Sequence, residues 1–114
     1  MRIEKFEDII SWQKGRELTI NIYKTFEGSS DFGYKNQIER ASVSIMNNIA
    51  EGFERRSNKE FRQYLYISKG SCGEVRSMLY LANDLGKMDQ AKFDFLYSLS
   101  LEISKLLSGL IKKL

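Results

Sequence analysis

Three basic residues, Arg62, Lys69 and Arg76, recur at intervals of seven and are the residues best placed to bind a ligand. Seven residues make almost two turns of an α-helix, so these side chains form one line with about 10 Å between successive Cα atoms. Such a line of cations can follow a phosphate backbone, in contacts that weaken with salt and ignore base sequence. We call Arg62, Lys69 and Arg76 the basic row. It is extended at one end by Arg55, Arg56 and Lys59.

The basic row also has a structural interpretation. Charged residues beside an apolar helix seam often pair with carboxylates of neighbouring helices, and taken alone the row fits this role somewhat better. The charge of the segment around the row favours binding to a nucleic acid. Between Arg55 and Arg76 lie six basic residues and two acidic ones, whereas the net charge of the whole chain is only +3. RNA or DNA is therefore the leading expected partner.

The amino-acid composition gives little support for a catalytic function. The chain has no histidine and one cysteine, Cys72, which excludes imidazole bases, Cys/His zinc sites and an internal disulfide. The segment from Asn47 to Gly52 carries Glu51, but no second titratable residue nearby would divide acid and base roles with it. We expect a protein that is not an enzyme and needs no cofactor or metal. Asn48 and Glu51 are expected to hydrogen-bond a neighbouring helix or cap the following turn.

Four apolar stretches at helical spacing predict the elements that position these residues. The first runs from about Asp8, a plausible N-cap, to Phe26, and the second begins near Tyr34 and ends around residues 54–56. Capping signals then start a third helix, from Asn58 to Leu85, and a fourth begins after Asp89 and runs to the C-terminus. Short connections between long helices predict one all-α domain, residues 1–114, folded as an antiparallel up-down-up-down four-helix bundle.

The predicted third helix contains a run of small residues, Gly70-Ser71-Cys72-Gly73. Each helical glycine costs about 1 kcal/mol relative to alanine, but the apolar phase continues through the segment. We therefore expect an unbroken helix that closely approaches the second helix here.

Apolar residues also lie outside the core seams of the second and third helices. In so small a domain, a second apolar face is most simply covered by another subunit. The predicted oligomer interface consists of Val43, Met46, Phe53, Ile67, Met78, Leu81 and Leu85. The tyrosines are interpreted as core and interface residues more readily than as stacking platforms for bases.

Several segments resemble a bacterial four-helix bundle family encoded in intervening sequences of 23S ribosomal RNA genes. They are residues 6–14, residues 37–41, Ser44 to Gly52, Glu60 to Leu65 and Gly70 to Glu74. The Asn-Ile-Ala-Glu-Gly segment and the later Gly-Ser-x-x-Glu are the most specific, and they mark Asn48, Glu51, Gly52, Ser71 and Glu74 as a structural motif.

The resemblance implies an antiparallel four-helix bundle. A similar protein, the accessory variability determinant of diversity-generating retroelements, forms a pentamer that binds nucleic acid and a reverse transcriptase. The resemblance therefore implies the same assembly and the same kinds of partner. The residues leave a second function open, a protein-interaction or structural scaffold with no nucleic-acid role. No membrane-spanning run or signal sequence is evident, so we expect a cytoplasmic protein.

Overall fold

The protein is described by a computed structural model over residues 3–114, and within that range it contains helices and no β-strand. A short 3-10 helix, Phe6–Asp8, precedes four α-helices. These are α1 (Ile10–Thr25), α2 (Phe32–Phe53), α3 (Asn58–Asp84) and α4 (Gln90–Lys112). They form an elongated bundle of 43 × 23 × 19 Å, whose length matches that of α3. The all-α four-helix fold is confirmed.

Side-chain caps fix the starts of the last three helices. Asp31, Ser57 and Asp89 each accept a hydrogen bond from the backbone N–H three residues on, at 3.2, 3.2 and 2.7 Å. These bonds satisfy donors that have no partner inside the helix. Beyond the last turn of α3, Gly86 has a φ of 69°, a left-handed conformation that glycine adopts without a steric cost.

The start of α1 differs from the expectation. Asp8 does not cap α1, because its carboxylate accepts hydrogen bonds from the backbone N–H groups of Glu4 and Lys5, at 3.1 and 3.3 Å. It thereby closes the 3-10 turn before the helix. Ile9 occupies the N-cap position of α1 and provides no side-chain cap.

Neighbouring helices run antiparallel. Between α2 and α3, the Tyr34 hydroxyl donates to the Met78 carbonyl at 2.7 Å, while Ser68 donates to the Ile45 carbonyl at 2.7 Å. Contacts thus advance along α2 as they recede along α3. Over residues 3–114, α1 contacts α2 and α4 but not α3, so α1 and α3 are diagonal across the bundle.

The core follows the predicted seams. On α3, the seam residues Phe61, Leu65, Ser68, Cys72, Val75, Leu79 and Ala82 are all buried. Fully buried aliphatic residues on the other helices meet them along the bundle axis, among them Leu18, Ile22, Ile38, Ile45, Ile49, Leu96, Ile103 and Leu107. In the described part of the chain, no helix is both long enough and apolar enough to cross a membrane.

The small-residue segment of α3 is helical throughout, as expected, but its glycines do not mediate close packing. A Cβ atom added at Gly70 would meet no atom within 4 Å, and one at Gly73 would meet only an Arg76 nitrogen, 3.8 Å away. A close approach of α2 and α3 lies instead at Gly52. A Cβ atom there would lie 2.5 Å from the Cβ of Tyr64.

Candidate nucleic-acid interface

The basic row lies on the side of α3 that faces α4. Three residues beyond Lys69, Cys72 lies in the core, and its thiol donates to the Ser100 carbonyl of α4 at 3.3 Å. Four residues beyond Arg76, the ring of Tyr80 contacts α4 at Phe93, with 5.5 Å between ring centroids. The row residues themselves are half-buried.

Over residues 3–114, no carboxylate forms an ion pair with the basic row. Over residues 3–114 the ion pairs are Lys14–Glu102, Lys35–Glu39, Arg55–Glu51 and Lys87–Asp31. Arg62, Lys69 and Arg76 take part in none of them. One terminal nitrogen of Arg76, Nη1, is buried and has no hydrogen-bond partner among the described residues. The three cations of the row, at the α3/α4 boundary, therefore have no ion-pair partner over residues 3–114.

Arg55 is separated from the row. Its guanidinium pairs with Glu51 at 2.9 Å, hydrogen-bonds the Tyr64 hydroxyl and lies 4.8 Å from the centroid of the Tyr64 ring. The pKa of Arg55 is raised, chiefly by the hydrogen bond to Tyr64. Because these contacts lie where α3 meets α2, Arg55 is held on the other side of α3. Arg56 and Lys59 are exposed in the α2–α3 connection and in the first turn of α3.

Two tyrosines that the sequence analysis did not assign to the site accompany the row. The exposed fractions of Tyr66 and Tyr80 are 56% and 50%, high for aromatic residues. Each follows a row residue by four positions, Tyr66 after Arg62 and Tyr80 after Arg76, and residues so spaced are neighbours on a helix surface. This four-residue spacing is visible in the sequence and could have identified both tyrosines as neighbours of the row.

The structural motif lies at the α2/α3 contact. Asn48 donates to the carbonyl and the hydroxyl of Ser44 in its own helix, at 2.8 and 2.9 Å, and the Ser44 hydroxyl is 2.8 Å from that of Ser71 on α3. Asn48 therefore orients the serine that crosses to α3, whereas the sequence analysis expected it to bond a neighbouring helix itself.

The other motif residues make separate contacts. Glu51 reaches no neighbouring helix and no turn, because its carboxylate pairs with Arg55 one turn further along. Glu74 accepts a hydrogen bond from the Gln37 side chain of α2 at 3.2 Å. Gly52 permits the close approach to Tyr64. The motif thus holds α2 against α3.

The predicted oligomer interface divides into two groups. Met78 is only 9% exposed and lies in the core, so it is not available to a second subunit. Phe53 packs against Phe61 with ring centroids 5.8 Å apart, and Met46 packs beside Gly15 on α1. Val43 is half-buried. The outer group, which we call the apolar ridge, is Ile67, Leu81 and Leu85, all about half exposed along the outer surface of α3.

Two buried titratable groups, the Cys72 thiol and the Tyr34 hydroxyl, are held in their neutral forms. Burial raises the pKa of the Cys72 thiol to about 11 and that of the Tyr34 hydroxyl to about 12, so both are neutral near pH 7. Both also donate hydrogen bonds to backbone carbonyls. Residues 3–114 contain no group of three or more His, Cys, Asp or Glu side chains that could hold a metal ion.

Comparisons with known proteins agree with this architecture. A solved structure from Bacteroides thetaiotaomicron, a protein of unknown function in the S23 ribosomal protein family, superposes with a TM-score of 0.85 at 27% identity. The match covers 90% of this chain and 99% of that one. No match is found among curated proteins. The family model of the 23S rRNA-intervening sequence proteins matches residues 7–109. The chain therefore belongs to the family of 23S rRNA-intervening sequence proteins.

Proposed function

We propose that this protein is a non-catalytic, homo-oligomeric bundle that binds RNA or DNA without sequence specificity through Arg62, Lys69 and Arg76. The observation that carries the proposal is the absence of any carboxylate partner for these three cations over residues 3–114. Arg56 and Lys59, exposed at the start of α3, extend the same surface. Arg55 has a smaller part, because its charge is already paired with Glu51.

Phosphate is the ligand that fits this surface. Arginine donates two parallel hydrogen bonds to a phosphate and lysine acts as a compact point charge. Fixed on one helix at a spacing of seven residues, the three side chains contact successive parts of a backbone and read no base edges. Binding would release condensed counterions, so affinity should fall steeply with added salt.

Replacing Arg62, Lys69 and Arg76 together with alanine should lower affinity for RNA by roughly 100-fold near physiological salt, as expected for three lost phosphate contacts. The slope of log affinity against log salt should become shallower by about two to three. Filter binding to a structured RNA over a series of salt concentrations measures both quantities.

The matched control replaces Lys24, Lys92 and Lys112 with alanine. These lysines are exposed, lie outside the row and take part in no ion pair over residues 3–114, so the net charge changes by the same amount. The control should retain most of the affinity. Equal affinities for the two triple variants would show that the row is not the binding surface.

The apolar ridge supports self-association. Leu81 and Leu85, one turn apart at the end of α3, leave apolar area in water that a second copy of the chain would cover. Ile67 lies about 21 Å from Leu81 along α3, with the exposed Glu74 midway between them, so the two leucines carry this argument. We propose five subunits, following the family resemblance. The ridge lies along the outer surface of α3, away from the row, so association would leave the row open to a nucleic acid.

Replacing Leu81 and Leu85 with glutamate should shift the protein to a smaller assembly, because each charge would have to be buried without a partner in the subunit contact. Sedimentation velocity over a range of concentrations measures the assembly. Ile20→Glu is the control, since Ile20 is similarly exposed but lies on α1. An unchanged sedimentation coefficient for the Leu81/Leu85 variant would refute this interface.

The same ridge favours one other function, a scaffold that recruits a different protein, such as a reverse transcriptase. In that case the ridge would bind the partner protein, and the basic row would only pair with acidic residues of neighbouring subunits. A complex that survives nuclease treatment and is lost in the Leu81/Leu85 variant would favour the scaffold.

A further inference from the structure

Two glycines on the outer surface of α3 have no packing role in the bundle. Glycine inside a helix is less favourable than alanine, and its presence is usually explained by a close neighbour or an unusual backbone conformation. Neither applies here. Gly70 and Gly73 are helical, and a Cβ atom at either would meet nothing closer than 3.8 Å. Their lack of side chains instead leaves a stretch of helix backbone bare.

This bare stretch lies among the row and the exposed tyrosines. Arg62, Tyr66, Lys69, Gly73, Arg76 and Tyr80 follow one another in alternating steps of four and three residues, the spacing that places side chains on one stripe of a helix. We call these six residues the cation–tyrosine stripe. Cations alternate along it with aromatic rings or with the glycine. Gly70, one turn after Tyr66, borders it.

Tyr80 is fixed in place by α4. Its ring meets Tyr97 edge-on at 5.5 Å and Phe93 in a tilted arrangement, also at 5.5 Å. Half of the Tyr80 side chain is nevertheless exposed. An aromatic surface held in this way loses little conformational freedom when a planar group stacks on it.

We propose that the cation–tyrosine stripe binds single-stranded nucleic acid, with phosphates on Arg62, Lys69 and Arg76 and unpaired bases stacked on Tyr66 and Tyr80. The inference rests on the proposed function and narrows its ligand. A groove or face that combines backbone-tracking cations with aromatic stacking platforms is how proteins bind single strands without sequence preference. Bases inside a duplex are stacked on each other and cannot use the tyrosines. Gly70 and Gly73 let a base or sugar lie against the helix between the two rings.

The test compares one oligonucleotide, single-stranded and annealed to its complement, by fluorescence anisotropy. Tyr66→Leu with Tyr80→Leu should weaken single-strand binding by about tenfold per tyrosine and leave duplex binding unchanged. Tyr66→Phe with Tyr80→Phe retains both rings and should retain binding. Tyr23→Leu, an exposed tyrosine of α1, is the position control.

Gly73→Leu gives a readout independent of the tyrosines. A leucine Cβ at this position would meet only an Arg76 nitrogen, in ordinary contact at 3.8 Å, and leucine improves helix propensity, so thermal stability should not fall. Its side chain would nevertheless cover the bare backbone and should weaken single-strand binding several-fold. A variant that is at least as stable and still binds single strands at the original strength would overturn the role given to the glycines.

The possible results distinguish a failure of this inference from a failure of the proposed function. The stripe is not a stacking site if the wild-type protein binds duplex as tightly as single strands. The same conclusion follows if the Tyr66→Leu/Tyr80→Leu variant binds like the wild type while the basic-row variant loses binding. In both cases the proposed function stands. If the wild-type protein binds neither form, the proposed function itself is refuted. If the tyrosine variants instead change the sedimentation coefficient, the stripe is a contact between subunits and the inference is wrong.

Discussion

Gly52→Ala should destabilise the bundle although alanine is the better helix former. The added Cβ atom would lie 2.5 Å from the Cβ of Tyr64 and 3.1 Å from the Cδ1 of Phe61. No rotamer change moves the Cβ of Tyr64, so α2 and α3 must separate. Overpacking typically costs about 1–3 kcal/mol or more. Because the clash is with a Cβ atom that cannot rotate away, we expect a cost at the upper end, about 3 kcal/mol. After a helix-propensity gain of about 1 kcal/mol, the free energy of unfolding should fall by about 2 kcal/mol.

The same substitution at Gly70 should have the opposite sign. Alanine there meets no atom within 4 Å and should raise the free energy of unfolding by about 0.5–1 kcal/mol through propensity alone. Urea denaturation followed by circular dichroism measures both variants, with unchanged denaturant slopes as the check on a common unfolding transition. If both variants shift stability in the same direction, the close contact is not at Gly52.

Ile22→Ala is expected to cost about 2–5 kcal/mol, the usual loss for removing a fully buried aliphatic side chain from a core. Ile22 has no exposed surface and lies in the bundle core. Domains of this size are commonly stable by only about 5–15 kcal/mol, so the variant should be strongly shifted toward unfolding. The midpoint of thermal or urea denaturation would report the shift.

Ile20 supplies the matched control. It is also an isoleucine of α1, two residues earlier, but 44% of it is exposed. Ile20→Ala should change stability by less than about 0.5 kcal/mol, because an exposed position loses little burial. Comparable losses at Ile20 and Ile22 would mean that α1 is rotated relative to the arrangement described above.

The helices and their core were predictable because the apolar period is strong. The seam from Phe61 to Ala82 fits a helix at every step, and each member is buried. Caps were predictable where the side chain had one use, as at Ser57 and Asp89. Asp8 was misassigned because two backbone donors upstream, at Glu4 and Lys5, compete for its carboxylate.

Surface roles were harder to predict, because they depend on which neighbour covers each helix face. Met78 has the same chemistry as an interface residue, and only its contact with α2 places it in the core. Arg55 is separated from the row by Glu51 and Tyr64, partners that the sequence does not reveal. Periodicity alone therefore identified the row, but not the tyrosines beside it or the isolation of Arg55.

The order of helix contacts also bears on how the chain folds. Three of the four contacting helix pairs, α1 with α2, α2 with α3 and α3 with α4, are consecutive in sequence, and only α1 with α4 is distant. Structures dominated by local contacts have a low contact order and fold on the order of microseconds to milliseconds. Because α2 and α3 share the most extensive interface, we expect their hairpin to form the folding nucleus and α1 to dock onto α4 last, an order that φ-value measurements would test.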